Sequence, residues 1–245
     1  MLPVLRAFLF ADPLVVLDTL IMGSLSMCAS LFDKTGFTQH RIARVWARLA
    51  LFVCGIRVEV EGLEKVDPHG SYVLVSNHLS LTDTPVVLAL MPLQFRFFAK
   101  LGLFRIPLLG GHLRRAGHLP VVRKNPRAGL RTLADGARLV RERGVSVLIF
   151  PEGGRAEDGR LQEFRPGAAF VAIKAGVPAL PIGITGTREI LPMGSLVVRP
   201  GRVHLRIGDP IPTSHLRIHD HGRLTAELHR AVAGLTGRDT PVQCK

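Results

Sequence analysis

A chain of 245 residues can form one large domain, or one domain with an appendage. Hydrophobic residues make up 47% of it, the mean hydropathy is +0.27, and 32 Lys and Arg outnumber 19 Asp and Glu to give a net charge of +13. An anionic membrane surface suits both properties. Nucleic acid would explain only the charge, and one Trp and one Tyr provide no series of rings for stacking bases, so nucleic acid is excluded as an expected partner.

The three cysteines, Cys28, Cys54 and Cys244, are odd in number and widely spaced. They form no CxxC motif and no disulfide framework. Cys28 and Cys54 lie among apolar residues, where reduced and buried thiols are usual. This pattern agrees with a protein that faces the cytosol.

The first 33 residues are the most apolar part of the chain. As a helix, residues 14–32 would extend about 28 Å, close to the roughly 30 Å of a bilayer's hydrocarbon core, although Asp18 interrupts the run. Residues 41–54 have helical periodicity and a basic side formed by Arg41, Arg44 and Arg48. That pattern is typical of an amphipathic helix at a membrane surface.

These two segments predict an N-terminal helical hairpin, residues 1–55, that is associated with a membrane. The alternative is an ordinary buried hairpin that covers one side of a soluble domain. If the first segment spans the bilayer, the positive charges that follow it, beginning with Lys34, place that side in the cytosol. The expected location is therefore the cytoplasmic face of a membrane, whether the hairpin spans the bilayer or only dips into it.

From residue 56 onwards, short apolar strands alternate with helices, which predicts an α/β domain over residues 56–245. Strands are expected at residues 56–60, 72–76, 95–100, 119–122, 146–150, 179–184 and 202–207. Helices are expected after Asp83 and at residues 101–105, 126–143, 167–175 and 222–235. The predicted architecture is a mixed sheet flanked by helices, with the strand at residues 56–60 on an edge.

The connection between the strand at residues 72–76 and the following helix carries the first candidate chemistry. His78 and Asp83 lie on this connection, five positions apart. The carboxylate is close enough to hold one imidazole nitrogen while the other nitrogen faces a substrate, an arrangement that suits a general base. The structural alternative is a capping aspartate beside an ordinary loop histidine.

Two further strands end in charged residues, at the position where an α/β sheet usually places its site. Arg123 follows one strand, and a proline- and glycine-rich turn after another presents Glu152, Gly153 and Arg155. Two arginines and free backbone amides suit a phosphate group. Taken singly, Arg123 could be a surface cation and Glu152 with Arg155 a local ion pair. Their placement after separate strands favours a common site.

The other histidines predict no metal centre. His215 and His219 have the spacing of helical metal ligands, but the segment is basic and Asp220 is its one adjacent acidic residue. His112 and His118 lie in a basic segment that is predicted as a solvated loop. Contact of that loop with lipid phosphates or with an anionic donor is the alternative.

Four short motifs follow one another along the chain. They are Asn77-His78 followed after four residues by Asp83; Lys100 with Pro107, Gly110 and Val121-Val122-Arg123; Phe150-Pro151-Glu152-Gly153-Gly154-Arg155; and Val177-Pro178-Ala179-Leu180-Pro181-Ile182. In this order they resemble the motifs of the glycerolipid acyltransferases, in particular the 1-acyl-glycerol-3-phosphate (lysophosphatidate) acyltransferases. The resemblance covers roughly residues 46–212, and the N-terminal hairpin also suits the family.

The resemblance implies transfer of a fatty acyl group from acyl-CoA or acyl-carrier protein to the free hydroxyl of 1-acyl-glycerol-3-phosphate, which gives phosphatidic acid. It implies membrane phospholipids as surroundings and no cofactor beyond the thioester donor. By this resemblance, His78 would be the general base and Asp83 would orient it. Arg123 and Arg155 would bind the phosphate, and Glu152 with Gly153 would organise the phosphate pocket. Asn77, Lys100 and Pro181 would be supporting residues.

The chain departs from the family pattern at Gly154, where the family commonly has Thr or Ser, and at Ala156, where Ser is frequent. A hydroxyl that could contact the acceptor is therefore missing. This departure leaves open the same chemistry on another lysophospholipid or on a lyso-aminolipid. A further alternative, from a different class, is a non-catalytic lipid-binding protein of the membrane surface.

Overall fold

The computed structural model describes residues 5–121, 126–155 and 158–237. A π-helical turn, Ala7–Ala11, leads directly into helix α1, Asp12–Ala29, and a turn then leads to helix α2, Phe37–Cys54. The two helices pack against each other, and the Trp46 indole N–H on α2 donates to the Thr19 hydroxyl on α1 at 3.0 Å. The predicted helical hairpin is therefore present.

The remaining elements alternate as expected for an α/β domain. The strands are β1 Ile56–Glu61, β2 Val73–Ser76, β3 Phe95–Lys100, β4 Leu119–Val121, β5 Ser146–Ile149, β6 Ala179–Thr185 and β7 Gly201–Ile207. The helices are α3 Asp83–Leu90, α4 Leu109–Arg115, α5 Pro126–Arg143, α6 Gly167–Ala175, α7 Thr187–Ile190 and α8 His221–Thr236. Short 3₁₀ turns lie at Leu63–Lys65, Leu101–Arg105 and Ile218–Asp220.

The seven strands form one sheet in the order β1-β7-β6-β2-β5-β3-β4. Every neighbouring pair is parallel except β6 with β7, so the prediction of a mixed sheet is confirmed, as is the edge position of β1. The carboxyl ends of β2, β5 and β3 meet at one edge because these strands are parallel. An α/β sheet places its site at such an edge.

Helices cover both faces of the sheet, because alternate strand residues point to opposite sides. On β2, Leu74 packs in one core with α2 and α3, while Val73 and Val75 pack in the other with α5, α6 and α8. Helix α6 ends at Gly176, whose φ of +71° allows the left-handed turn that closes the helix, as its sequence predicts.

Helix α2 belongs to the core of the α/β domain. Its buried residues Ala43, Ala47 and Leu51 share the core with the sheet, and the Arg6 guanidinium, placed before α1, donates to the carbonyl oxygens of Val53 and Cys54 at 3.0 and 3.3 Å. Those last carbonyls of a helix otherwise lack partners. The domain boundary at residue 55 stays a prediction, but α2 and the sheet bury their apolar surfaces against each other.

Helix α1 has a largely exposed apolar surface. Residues Ala7–Ala29 form a 23-residue helix that is long and apolar enough to cross a membrane, by length and composition. The exposed apolar side chains on this helix are Phe8, Leu9, Phe10, Leu14, Val16, Leu17, Leu20, Ile21 and Leu25. A contiguous apolar surface of this kind usually marks a contact with lipid or with another protein.

The prediction of a solvated basic loop at residues 110–118 is wrong. Most of that segment is helix α4, and His118 is buried with its ring stacked on Phe97 at a centroid distance of 3.7 Å. His112 Nδ1 and the Ser26 hydroxyl of α1 are hydrogen-bonded at 2.6 Å. The basic composition of the segment concealed the buried positions Gly111 and Leu113, which pack the helix against its neighbours. The short helix α7 was also absent from the prediction.

We predict that the fold loses stability in mild acid because three histidines are buried near the guanidinium of Arg96. Burial, with Arg96 nearby, lowers the pKa of His40 to about 3 and that of His112 to about 4, and it lowers the pKa of His118 well below 6.5. The unfolded chain therefore binds more protons than the folded chain below about pH 6.5. Each such histidine should cost about 1.4 kcal/mol per pH unit in that range.

Urea unfolding of the full chain between pH 7.5 and pH 4.5 measures this effect. His112→Asn, which can keep a hydrogen bond to Ser26, should make the loss of stability with falling pH less steep. His219→Asn, at an exposed position, should not change it. A free energy of unfolding that stays constant down to pH 5 would contradict the prediction.

Candidate active site

The loop between β2 and α3 holds His78 against Asp83. The imidazole Nδ1 lies 2.8 Å from Asp83 Oδ2, and the same oxygen accepts the backbone N–H groups of Leu79 at 2.7 Å and Ser80 at 2.8 Å. The Asp83 carboxylate is fully buried, while the His78 side chain is 19% exposed. Because the carboxylate can only accept a hydrogen bond, Nδ1 carries the proton and Nε2 keeps its lone pair for a substrate.

The end of β5 fixes the other side of the histidine. The Phe150 ring stacks on the His78 ring with centroids 4.1 Å apart and 17° between their planes. Glu152 Oε1 accepts the His78 backbone N–H at 2.6 Å, and Oε2 accepts the Gln162 N–H at 3.0 Å. Burial raises the pKa of Glu152, partly offset by these two hydrogen bonds. Glu152 therefore fixes the β2–α3 loop to the segment that follows β5.

Asn77 joins the end of β2 to the end of β6. Its side-chain amide donates to the Ile184 carbonyl oxygen and accepts the Ile184 N–H, both at 2.8 Å, as a strand residue would. Ser80 adds a second link, because its hydroxyl donates to the Leu191 carbonyl oxygen at 2.8 Å. The sequence analysis placed Phe150 in the third motif without a role of its own and did not single out Ser80. Their roles depend on tertiary contacts that no local pattern reveals.

An open cavity of about 850 Å³ adjoins this loop on the side of Glu152. Its wall includes Gly153, Gly154 and Arg155, so the third sequence motif lines it. A Cβ atom at Gly154 would have no neighbour within 4 Å, so the side chain that the family commonly has here would enter open space. The structure therefore brings Glu152, Gly153 and Arg155 together beside His78.

The remaining predicted site residues are Arg123, Lys100 and Pro181. Arg123 falls outside the described residues. Lys100 is exposed at the end of β3, and Pro181 is buried within β6, opposite Val75, so its side chain is part of the sheet and not of the loop cluster. Within the described ranges, no group of three or more His, Cys, Asp or Glu side chains is arranged to hold a metal ion.

The site thus has a histidine oriented by a buried aspartate at the carboxyl edge of an α/β sheet, with an arginine-lined cavity beside it. This arrangement is typical of an enzyme that activates a hydroxyl group. The comparisons with known proteins specify this class. The family model described as Acyltransferase matches residues 57–185, which are more than half of the chain. The chain belongs to the acyltransferase family.

Individual relatives support the assignment to this family. The chain is 38% identical over 174 residues, 70% of its length, to a chloroplastic 1-acyl-sn-glycerol-3-phosphate acyltransferase of Arabidopsis thaliana, and 37% identical to one of Brassica napus, also over 70% of its length. It spans about half the length of these curated relatives, 48% and 50%. A bovine relative of the same name is 29% identical over 74% of the chain and 63% of its own length.

A solved structure matches nearly the whole fold. It is the 1-acyl-sn-glycerophosphate (LPA) acyltransferase PlsC from Thermotoga maritima, with a TM-score of 0.72 and 26% sequence identity. The match covers 94% of this chain and 99% of that chain, so it includes helices on both sides of residue 55. The architecture predicted from the sequence is thus found in a solved acyltransferase.

We predict that Asn77→Ala destabilises the fold because it leaves the Ile184 N–H and carbonyl oxygen buried without partners. Each unsatisfied group costs about 1–3 kcal/mol, so the free energy of unfolding should fall by about 2–6 kcal/mol in total. Denaturant unfolding at neutral pH measures the loss. Asn77→Asp keeps the size of the side chain but removes the donor, so it should also destabilise the protein. A change below about 0.5 kcal/mol in Asn77→Ala would refute this role.

Proposed function

We propose that the protein transfers a fatty acyl group from acyl-CoA or acyl-carrier protein to the free hydroxyl of 1-acyl-glycerol-3-phosphate, giving phosphatidic acid in phospholipid biosynthesis. The observation that carries the proposal is the His78–Asp83 pair, with Nδ1 bound and Nε2 free at the partly exposed side of the loop. Membership of the acyltransferase family and the names of the relatives support the reaction and the acceptor.

In the proposed reaction, His78 Nε2 takes the proton of the acceptor hydroxyl as its oxygen attacks the thioester carbonyl carbon. The tetrahedral intermediate then collapses, the C–S bond breaks, and the imidazolium returns the proton to the leaving thiolate. The Asp83 carboxylate stabilises the imidazolium and keeps the ring in the productive tautomer. Since the thioester is already activated, no protein nucleophile and no cofactor are required.

The acceptor's phosphate would lie in the cavity beside Glu152, with Arg155 and the sequence-predicted Arg123 as its cationic partners. A guanidinium is well suited to this task because its parallel N–H groups match two phosphate oxygens. Glu152 would act on the site by holding the backbone of His78 and of Gln162. In this role it organises the pocket without contacting the acceptor.

One observation favours a different acceptor with the same chemistry. Gly154 offers no hydroxyl, and the space where a side chain would stand is open. A bulkier or differently charged head group, such as that of another lysophospholipid or of a lyso-aminolipid, would find room there. A non-catalytic lipid-binding protein remains the alternative from another class, and it would not need the base.

The proposed location is the cytoplasmic face of a membrane, with α1 in contact with lipid. The exposed apolar side chains of α1 support this location, as do the basic residues Lys34 and Arg41 that follow it. Deletion of the first 50 residues would remove Ala43 and Ala47 from the core as well as α1. Substitutions on the exposed surface of α1 therefore test the location more directly.

We predict that the wild-type chain in vesicles acylates lysophosphatidate in preference to other lysophospholipids and a lyso-aminolipid, measured with one labelled acyl donor. His78→Ala should reduce this transfer by about 10²- to 10⁴-fold, since the general base is removed. His69→Ala, at an exposed loop histidine, is the matched control and should remain active.

Near-normal turnover by His78→Ala would refute the mechanism. A clear preference of the wild type for an acceptor without a phosphate monoester would select the second candidate function. Membrane binding without transfer to any acceptor would identify the lipid-binding alternative.

We also predict that replacing Val16 and Leu20 together by Gln weakens binding to anionic vesicles. Both side chains are more than half exposed and lie one helical turn apart. Removing two such apolar contacts should cost about 3 kcal/mol or more, roughly a hundredfold in partitioning. Vesicle flotation measures the effect, with Leu63→Gln, at an exposed position far along the chain, as control. Unchanged flotation of the double variant would count against α1 as the lipid contact.

A further inference from the structure

Arg165 lies against the turn of the third motif, although it is distant from that motif in sequence. Its backbone N–H donates to the Pro151 carbonyl oxygen at 2.9 Å, which joins the segment before α6 to the turn after β5. Its guanidinium lies over Gly153: a Cβ atom at Gly153 would be 2.9 Å from Arg165 Nε and 3.1 Å from Cζ. The glycine, with φ of +75°, therefore leaves the space that the guanidinium occupies.

The guanidinium is also available for a ligand. It lines the same cavity as Arg155, and among the described residues neither arginine forms an ion pair or a side-chain hydrogen bond. Two of the three acidic residues of the cavity wall are already engaged, and the third, Glu163, is exposed to solvent. Asp158 accepts the Arg160 N–H at 2.9 Å and lies 3.9 Å from the Arg160 guanidinium, and Glu152 holds two backbone N–H groups.

We propose that Arg165 binds the phosphate of the acceptor together with Arg155, and so sets the preference for a phosphate-bearing head group. This inference rests on the proposed function, because it concerns the acceptor side of the same site. It assigns a binding role to a residue outside the motifs that the sequence analysis identified.

The position of Arg165 relative to the base supports this role. One oxygen of the Glu152 carboxylate accepts the backbone N–H of His78, and the other accepts that of Gln162. A single side chain therefore lies between the base and the cavity wall that carries Arg165. In 1-acyl-glycerol-3-phosphate, a short C–C–O linker separates the free hydroxyl from the phosphorus. A hydroxyl at His78 Nε2 therefore requires its phosphate to lie close by, and the cavity beside Glu152 is the arginine-lined space available in the described structure.

The charge of Arg155 and Arg165 distinguishes between acceptor head groups. Two guanidinium groups on one side of an open cavity would stabilise a dianionic phosphate monoester more than a phosphodiester, and a neutral acceptor least. The Arg165 guanidinium lies over Gly153 and forms no ion pair among the described residues, so a phosphate would not have to displace a partner.

The test compares Arg165→Gln, Arg165→Lys and the control Arg160→Gln in the full chain in vesicles. Arg165→Gln should raise the KM for lysophosphatidate by about 10- to 100-fold, while the KM for the acyl donor stays unchanged. Arg165→Lys should recover part of the loss, because an ammonium keeps the charge but cannot form two parallel bonds. Arg160→Gln, on the same loop and already near Asp158, should match the wild type.

Glycerol 3-phosphate provides a second measurement that requires no turnover. Calorimetric titration of the wild type with glycerol 3-phosphate should detect binding, and Arg165→Gln should abolish it while keeping the wild-type melting temperature. In the vesicle assay, the same variant should lose its discrimination between lysophosphatidate and a neutral monoacylglycerol. A merely structural role would lower the melting temperature and change the kinetics of both substrates.

The outcomes for the inference and for the proposed function are separable. The wild type could be active while Arg165→Gln keeps its KM for lysophosphatidate and still binds glycerol 3-phosphate. That result would overturn the role of Arg165 and leave the proposed function intact. A wild type that does not acylate lysophosphatidate overturns the proposed function. In that case the titration still decides the role of Arg165, and absence of glycerol 3-phosphate binding by the wild type overturns it.

Discussion

The buried carboxylate of Asp83 is the constraint on which the site depends. Burying an ionised carboxyl group is very costly unless hydrogen bonds stabilise the charge. Asp83 Oδ2 accepts the backbone N–H groups of Leu79 and Ser80 together with the His78 ring, while Oδ1 is buried without a partner among the described residues. These bonds draw the loop around the carboxylate, so the backbone conformation and the histidine tautomer have one common cause. The five-residue spacing of the pair is thus the length of loop needed to surround one oxygen.

Glu152 extends this constraint to the acceptor side. Because its two oxygens hold the backbones of His78 and Gln162, the base and the wall of the cavity cannot move apart without breaking a buried hydrogen bond. Phe150 supports the same arrangement from the ring face. Residues of the first and third motifs therefore act as one unit, although they come from different strands. The spacing between His78 and the arginine-lined cavity therefore depends on the carboxylate of Glu152.

The sequence predicted those parts of the molecule in which a local pattern decides the structure. The apolar runs identified every described strand, and Gly176 correctly closed its helix. Residue types and spacing made a contact between His78 and Asp83 one of two predictions, beside a capping aspartate near an ordinary loop histidine, and the later motifs favoured the contact. The helix α4 was missed because its charged residues suggested solvent, while its burial depends on Gly111 and Leu113 packing beneath α1 and β3. Arg165 was missed for a related reason, since its contact with Gly153 is between segments that only the fold brings together.

Packing connects the N-terminal hairpin to the β2–α3 loop, because α2 contacts both α1 and α3. Arg6 and the Trp46–Thr19 bond fasten α1 to α2. The Arg48 guanidinium of α2 then donates to the Ala89 carbonyl oxygen of α3 at 3.1 Å, and α3 begins at Asp83 itself. A short series of partly buried contacts therefore leads from the apolar surface of α1 to the carboxylate that holds the His78 ring. If α1 rests in lipid, the depth of the base relative to that lipid is fixed by packing, so an acceptor held in the same lipid layer always meets the base at one height.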